Sequence, residues 1–224
     1  MTYLDFIEIK NLHFEYVNGR PIFNNLSLRI RMDEVTALLG SNGSGKTTLG
    51  KLIMGILKPI RGQVLISNRD NSKMTLAEIG SKIGYLFQNP EKHFFCNTVE
   101  EELGFALKFN GCEEAFIKNR VEGLLKEFQL EGLRESFPLL LSQGEKRRLA
   151  IATILINEPE YMILDEPTNG LDFERKRILV GVLRELTEKG VGMTIISHDH
   201  SFIEEVAHRK IEIHRGEIIY DQRI

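Results

Sequence analysis

The chain has 224 residues, 42% of them hydrophobic and 27% charged, with a formal net charge of −3. That length can pack one α/β domain, or a core with a small subdomain, and the charge excludes an overall basic nucleic-acid binder. Cys96 and Cys112 have no CxxC or metal-ligand spacing and predict free thiols in a reducing cytosol. The N-terminus carries no basic-then-apolar leader, and no apolar run approaches the ~18 residues of a membrane span.

The first segments alternate. Phe6-Ile7-Glu8-Ile9-Lys10 and Leu12-His13-Phe14-Glu15-Tyr16 predict two half-buried strands, and Asn18-Gly19 predicts a hairpin turn. Leu26-Ser27-Leu28-Arg29-Ile30 continues the alternation, so an antiparallel layer opens the chain. Glu34-Val35-Thr36-Ala37-Leu38-Leu39 is an apolar, strand-like run. It enters Gly40-Ser41-Asn42-Gly43-Ser44-Gly45-Lys46-Thr47, a complete G-x-x-x-x-G-K-[ST] phosphate-binding pattern. Glycines let the loop curl so that backbone N–H groups face phosphate oxygens. Lys46 is expected on the β- and γ-phosphates and the Thr47 hydroxyl on Mg²⁺. Thr48-Leu49-Gly50-Lys51-Leu52-Ile53-Met54 reads as a helix whose positive end meets the phosphates.

Beyond Pro59 and Gly62, Gln63-Val64-Leu65-Ile66 is a strand candidate, as is Ile83-Gly84-Tyr85-Leu86-Phe87, which ends at Gln88. Residues 98–157 have helical texture and predict a bundle-like insertion. Thr98 and Glu101 fit a capping box, and Phe116, Val121, Leu124, Leu125 and Phe128 form an apolar stripe. Ser142 and Glu145 fit a second capping box at the head of Lys146-Arg147-Arg148-Leu149-Ala150. Tyr161-Met162-Ile163-Leu164 is a buried strand that delivers Asp165 and Glu166. After a phosphate loop, such a strand predicts Asp165 as a Mg²⁺ ligand and Glu166 as the group that polarises the attacking water. Gly192-Met193-Thr194-Ile195-Ile196 is a last core strand, and residues 210–220 predict a hairpin turning at Gly216.

The order of these segments carries a resemblance. Leu141-Ser142-Gln143-Gly144-Glu145 resembles the Leu-Ser-Gly-Gly-Gln signature of ATP-binding-cassette ATPases, with Gln143 and Glu145 as departures. Gln88 resembles the Q-loop glutamine that touches Mg²⁺ or water, His198 resembles the switch histidine, and Asn169-Gly170-Leu171-Asp172 resembles the D-loop. Tyr16 matches the aromatic that stacks on adenine, though a strand tyrosine could equally be core. The resemblance implies an α/β P-loop core with a mixed sheet, an N-terminal antiparallel layer and a helical insertion. It implies that ATP lies between Gly40, Ser41, Asn42, Gly43, Ser44, Gly45, Lys46, Thr47 and Thr48 of one subunit and Ser142 and Gly144 of the opposite one. Glu166, His198, Gln88 and Lys46 would serve hydrolysis, with Mg²⁺ on Thr47, Gln88 and Asp165. The negative charge of Glu145 near phosphate would be offset by capping and by Lys146 and Arg147.

The partners so implied are a second cassette, as homo- or heterodimer, and a transmembrane transporter subunit. That places the chain peripherally on the cytoplasmic face of the membrane. Residues 87–91, Phe94-Phe95 and residues 98–105 look like energy-coupling-factor ATPases, which power uptake of vitamins or of cobalt and nickel ions. Phe94 and Phe95 would then meet a coupling helix of the membrane subunit. The competing class is a soluble ATPase of the same superfamily acting on DNA or ribosomes. No sustained heptads occur between loop and signature, there is one cassette, and Lys146-Arg147-Arg148 reads as a helix face, so no nucleic acid is expected.

Overall fold

The computed structural model describes residues 5–17, 19 and 21–224; Asn18, half of the expected first turn, lies outside them. Strands β1 (Asp5–Glu15) and β2 (Pro21–Arg31) pair antiparallel. Where two strands were expected, β1 is a single one. Besides Phe6, its buried positions are Ile7 and Ile9, then Leu12 and Phe14, so the alternation set by Ile7 and Ile9 switches parity across Asn11. Asn11 has φ +47° and the ladder shifts register there, which marks a bulge. The Ser27 hydroxyl accepts from the Asn11 N–H at 3.0 Å, a donor the ladder leaves unpaired.

The chain continues through β3 (Val35–Leu39), α1 (Lys46–Ile53), β4 (Arg61–Ile66), β5 (Arg69–Asp70), α2 (Leu76–Gly80) and β6 (Ile83–Leu86). Three helices follow: α3 (Val99–Phe109), α4 (Glu114–Glu127) and α5 (Gln143–Leu155). Then come β7 (Tyr161–Asp165), α6 (Phe173–Glu188), β8 (Gly192–Ile196), α7 (His200–Val206), β9 (Arg209–His214) and β10 (Glu217–Arg223). β9 and β10 form the expected hairpin, turning through Arg215 and Gly216, both at positive φ.

The strands make two sheets. One is four-stranded and antiparallel, ordered β2-β1-β4-β5. The other is six-stranded, ordered β10-β9-β3-β8-β7-β6, with β10 antiparallel on the edge of five parallel strands. Helix α1 lies between the sheets. Its Leu49, Leu52 and Ile53 pack with Ile9 and Phe23 of one sheet and with Leu38, Ile163 and Ile211 of the other. The opposite face of the larger sheet, through Leu86, Met162, Leu164 and Ile195, carries the core of α3, α4, α5 and α6. Both faces of the parallel strands are therefore covered, and β7 and β8 read as continuous buried runs. Each fully buried leucine contributes about 1.5–3 kcal/mol of burial, so α1 is anchored before any ligand arrives.

Two local expectations need correcting. Phe116 is 48% exposed, and Ile117 turns to the core in its place, while Val121, Leu124, Leu125 and Phe128 are buried. The Thr98 hydroxyl accepts from Glu101 N–H at 3.1 Å, but the Glu101 carboxylate accepts from Asn97 N–H, not Thr98 N–H. The cap is real and the reciprocal half of the box is displaced by one residue.

Candidate nucleotide-binding site

The carboxyl ends of β3, β7 and β8 and the start of α1 converge on one cleft of about 340 Å³. Parallel sheets place ligand-binding groups at this edge because the loops leaving the strand ends are free to carry them. β3 runs into the glycine-rich loop. Gly45 caps α1 at φ +107°, and a Cβ there would lie 2.7 Å from the Phe23 ring, so only glycine fits. The Lys46 ammonium donates to Gly40 O at 2.7 Å, Ser41 O at 3.0 Å and Ser44 Oγ at 3.4 Å. Lys46 is thus folded back onto its own loop. Burial pulls its pKa down, while Glu166 and Asp165 work against that.

Thr47 Oγ1 donates to Asp165 Oδ2 at 2.7 Å. Asp165 Oδ1 is buried and has no hydrogen-bond partner. Burial raises the Asp165 pKa, and Thr47 and Lys46 offset part of the rise. A hydroxyl beside a carboxylate with one unmet oxygen is a hard-oxygen donor set, which fits Mg²⁺. Among the described residues no group of three or more His, Cys, Asp or Glu could hold a metal on its own, so such an ion would need phosphate or water as well.

Glu166 sits at φ +52°, an uncommon conformation for a non-glycine residue, and its N–H donates to Ile196 O at 2.8 Å. That bond turns the carboxylate into the cleft, where Ser197 Oγ donates at 3.5 Å and His198 Nε2 lies 3.6 Å away. Burial pushes the Glu166 carboxyl up, against the pull of His198. His198 itself is half-exposed, and its neighbour Asp199 is clamped by Lys176 Nζ at 2.5 Å.

Gln88, Thr48, Asn42, Gly43 and Gly45 also line the cleft, with Tyr16 at its mouth. The Tyr16 hydroxyl is 3.1 Å from Thr48 Oγ1, its ring stands edge-on to Phe14, and it is 43% exposed. Gly40, Ser41 and Ser44 form the part of the loop that holds Lys46. Ile22 and Ile196, not anticipated from sequence, complete the walls.

Ser142 and Gly144 do not line this cleft. Ser142 caps α5 in a complete capping box: its N–H and Oγ donate to Glu145 Oε2 at 2.8 and 2.7 Å, and Glu145 N–H returns to Ser142 Oγ at 3.4 Å. Those bonds, then Arg148 and Arg175, hold the Glu145 carboxyl below its usual range. The compensation expected from Lys146 and Arg147 is therefore reassigned. Arg147 is buried and donates to Phe87 O at 3.2 Å and Gln88 O at 2.9 Å, tying the signature helix to the Gln88 segment. Arg148, also buried, donates to Phe128 O and Gln129 O. The Gly170 carbonyl packs so closely on Gly144 that a Cβ there would approach it to 2.9 Å.

Residues 23–169 match the family described as ABC transporter. The chain belongs to that family. It is an ABC-type ATPase domain of the α/β P-loop class. The energy-coupling factor transporter ATP-binding protein EcfA of Methanothermobacter thermautotrophicus is 39% identical over 215 residues, covering 95% of this chain and 69% of that protein. Among solved structures, cbiO1 from Clostridium perfringens, described as part of the ABC transporter complex cbiONQ, superposes with a TM-score of 0.86 at 31% identity. It covers 98% of this chain and 88% of that one. The ATP-binding cassette MJ0796, a dimer in a post-hydrolysis state bound to ADP and phosphate, gives a TM-score of 0.87 at 27% identity, covering 97% and 98%. The chain spans only 37% and 48% of the length of two curated relatives it matches, and 81% of another.

Proposed function

We propose that this domain binds and hydrolyses ATP as one of two facing cassettes, and that the cycle powers an energy-coupling-factor-type importer of vitamins or metal ions. The observation that carries the reading is a separation within one chain. Lys46, Thr47, Gln88, Asp165, Glu166 and His198 share one cleft, whereas the anion-ready start of α5 at Ser142 and Gly144 is not on it. A site so divided is completed by the signature end of a second subunit, in keeping with the dimeric MJ0796 neighbour.

The residues then act as follows. Lys46 exchanges its bonds to Gly40 and Ser41 carbonyls for phosphate oxygens, joined by the loop N–H groups and the α1 N-terminus. Thr47 and Asp165 would hold Mg²⁺ with Gln88 close by, and that ion would neutralise charge developing on the phosphates. Glu166 accepts a proton from the attacking water, its carboxylate aimed by the Ile196 and Ser197 contacts, and His198 steadies the arrangement. ATP favours the closed pair and its loss the open one, a population shift read out by a membrane partner.

For that partner, an exposed aromatic run is the contact surface we favour. The pair expected from sequence divides: Phe94 is buried, while Phe95 is exposed, packs edge-on against Phe105 at 4.6 Å, and leads to Phe109. Among the described residues no helix is long and apolar enough to cross a membrane, so attachment would run through a transmembrane subunit at the cytoplasmic face. The inward burial of Arg147 and Arg148 argues against a DNA- or ribosome-directed role.

Glu166→Gln tests the chemistry. Expected is retained ATP binding, a trapped dimer by size-exclusion chromatography, and turnover reduced about 10²–10⁴-fold. Turnover near the parent rate would remove Glu166 from its role.

A further inference from the structure

Among the described residues, five buried side-chain polar atoms have no hydrogen-bond partner, and Asp165 Oδ1 and the hydroxyl of Tyr85 are two of them. Strand register makes them neighbours. β6 and β7 run parallel with Tyr85 opposite Ile163, and side chains alternate along a strand. Tyr85, Ile163 and Asp165 therefore share the face that α1 covers, with Tyr85 one diagonal step from Asp165. Diagonal neighbours stand about 7–8 Å apart, within reach of an aromatic side chain. Burial pushes the Tyr85 phenol up, and the Asp165 carboxylate pushes it further.

Gly50 makes the space. A Cβ at Gly50 would lie 2.7 Å from the Tyr85 hydroxyl. Gly50 follows Thr47 by one helical turn, and Thr47 is the donor to Asp165 Oδ2. The phenol thus lies against α1 about one turn beyond Thr47. Packing does not account for its oxygen. The ring contact with Phe87 at 4.4 Å and the burial against Leu49 and Ile53 would be served equally by phenylalanine. A buried hydroxyl left unpaired costs about 1–3 kcal/mol.

We propose that Tyr85 is a positioning residue of the divalent-cation site: its hydroxyl hydrogen-bonds the hydration shell of an ion held by Asp165 and Thr47, and keeps Asp165 Oδ1 turned toward that ion. Mg²⁺ sheds its waters reluctantly, and partners outside the ligand shell orient what lies inside it. The inference rests on the reading of Asp165 as a cation ligand.

The test is titration of Mn²⁺ into the full chain with ADP, following free Mn²⁺ by electron paramagnetic resonance, for the parent, Tyr85→Phe and Asp165→Asn. Expected for Tyr85→Phe is Mn²⁺ affinity reduced about tenfold, with metal-free ADP affinity unchanged and the metal-free melting temperature no lower than the parent's. Parent-like Mn²⁺ affinity in Tyr85→Phe, with Asp165→Asn weakened, overturns the role of Tyr85 and leaves the cation reading standing. Parent-like affinity in both variants removes the cation reading, and the proposal with it. Loss of metal-free ADP binding in Tyr85→Phe would make the phenol a packing group and also overturn the proposal.

Discussion

The cleft and the helical flank are unfinished in opposite ways. In the cleft, polar groups are buried and incompletely met: Asp165 Oδ1 has no partner, Lys46 turns back on its own loop, and burial raises both Asp165 and Glu166. On the flank formed by α3 to α5, most polar groups are answered locally, although the Nε atoms of Arg120 and Arg148 are buried without a partner. Glu102 accepts from Phe95 N–H and Cys96 N–H, Arg134 pairs with Glu100 and Glu122, and Ser142 and Glu145 satisfy one another. What the flank leaves exposed is aromatic surface, with Phe95 at 63% and Phe109 at 81% exposure. Unmet buried charge asks for an ionic ligand, and unmet exposed aromatic surface asks for a protein face. Under the proposed function the cleft would carry the reaction and the flank its coupling, so each half could be disabled alone.

Outside the catalytic carboxylate, the largest effect is expected on the flank. In a reconstituted transporter, Phe95→Ala with Phe105→Ala should lower transport at least about tenfold, since aromatic anchors at an interface each contribute about 2 kcal/mol or more. Soluble ATPase should stay within about twofold, and stability within about 0.5 kcal/mol for Phe95, whose ring is already exposed. Equal loss of transport and ATPase would show that the aromatics serve the cleft.

What the sequence made legible follows the same division. The loop, its flanking strand and helix, and the Ser142-Glu145 box obey short-range rules, so Gly45, Lys46 and Ser142 are where spacing puts them. Tertiary packing decided the rest. The alternation of β1 is interrupted by a bulge that only its pairing with β2 reveals. Phe116 and Ile117 are adjacent hydrophobics, and which one faces inward depends on how α4 is rotated against α3. Arg147 and Arg148 read as a charged surface because nothing local announces the carbonyls of Phe87, Gln88, Phe128 and Gln129 that receive them. Tyr85 looked like one more apolar strand residue, since its unpaired hydroxyl and its diagonal relation to Asp165 exist only in the sheet.

A medium effect is expected just behind the cleft. Burial opposes ionisation of Asp199, yet hydrogen bonds from Lys176, Ser201 and Phe202 N–H outweigh it and bring its pKa from 3.8 to about 2. A carboxyl lowered in this way stabilises the fold fully above its unfolded pKa, and the contribution disappears as pH falls through the folded value. Asp199→Asn should therefore cost on the order of 2 kcal/mol at pH 7 in denaturant unfolding, with the gap to the parent shrinking by roughly half at pH 3. A gap that is the same at both pH values would assign the loss to geometry at the head of α7 and not to charge.

The smallest effect concerns Glu145, which the proposed dimer would bring to the phosphate of the facing subunit. An ionised carboxylate only accepts, so the Ser142 hydroxyl hydrogen is committed to Glu145 Oε2. Glutamine can occupy the same box, because its amide oxygen accepts in the same place. It forfeits the charge that the helix N-terminus favours, about 0.3–1 kcal/mol. Glu145→Gln should thus lower stability slightly, and less than Ser142→Ala, which removes the cap at a cost of about 1 kcal/mol. In the assembled pair the sign reverses. Taking a negative charge away from a helix start that meets γ-phosphate should tighten ATP-dependent dimerisation several-fold, measured by sedimentation in the Glu166→Gln background. Dimerisation equal to the parent, with the stability loss present, would mean that the α5 N-terminus does not face nucleotide, and the division between a cleft and a completing helix would then have to be redrawn.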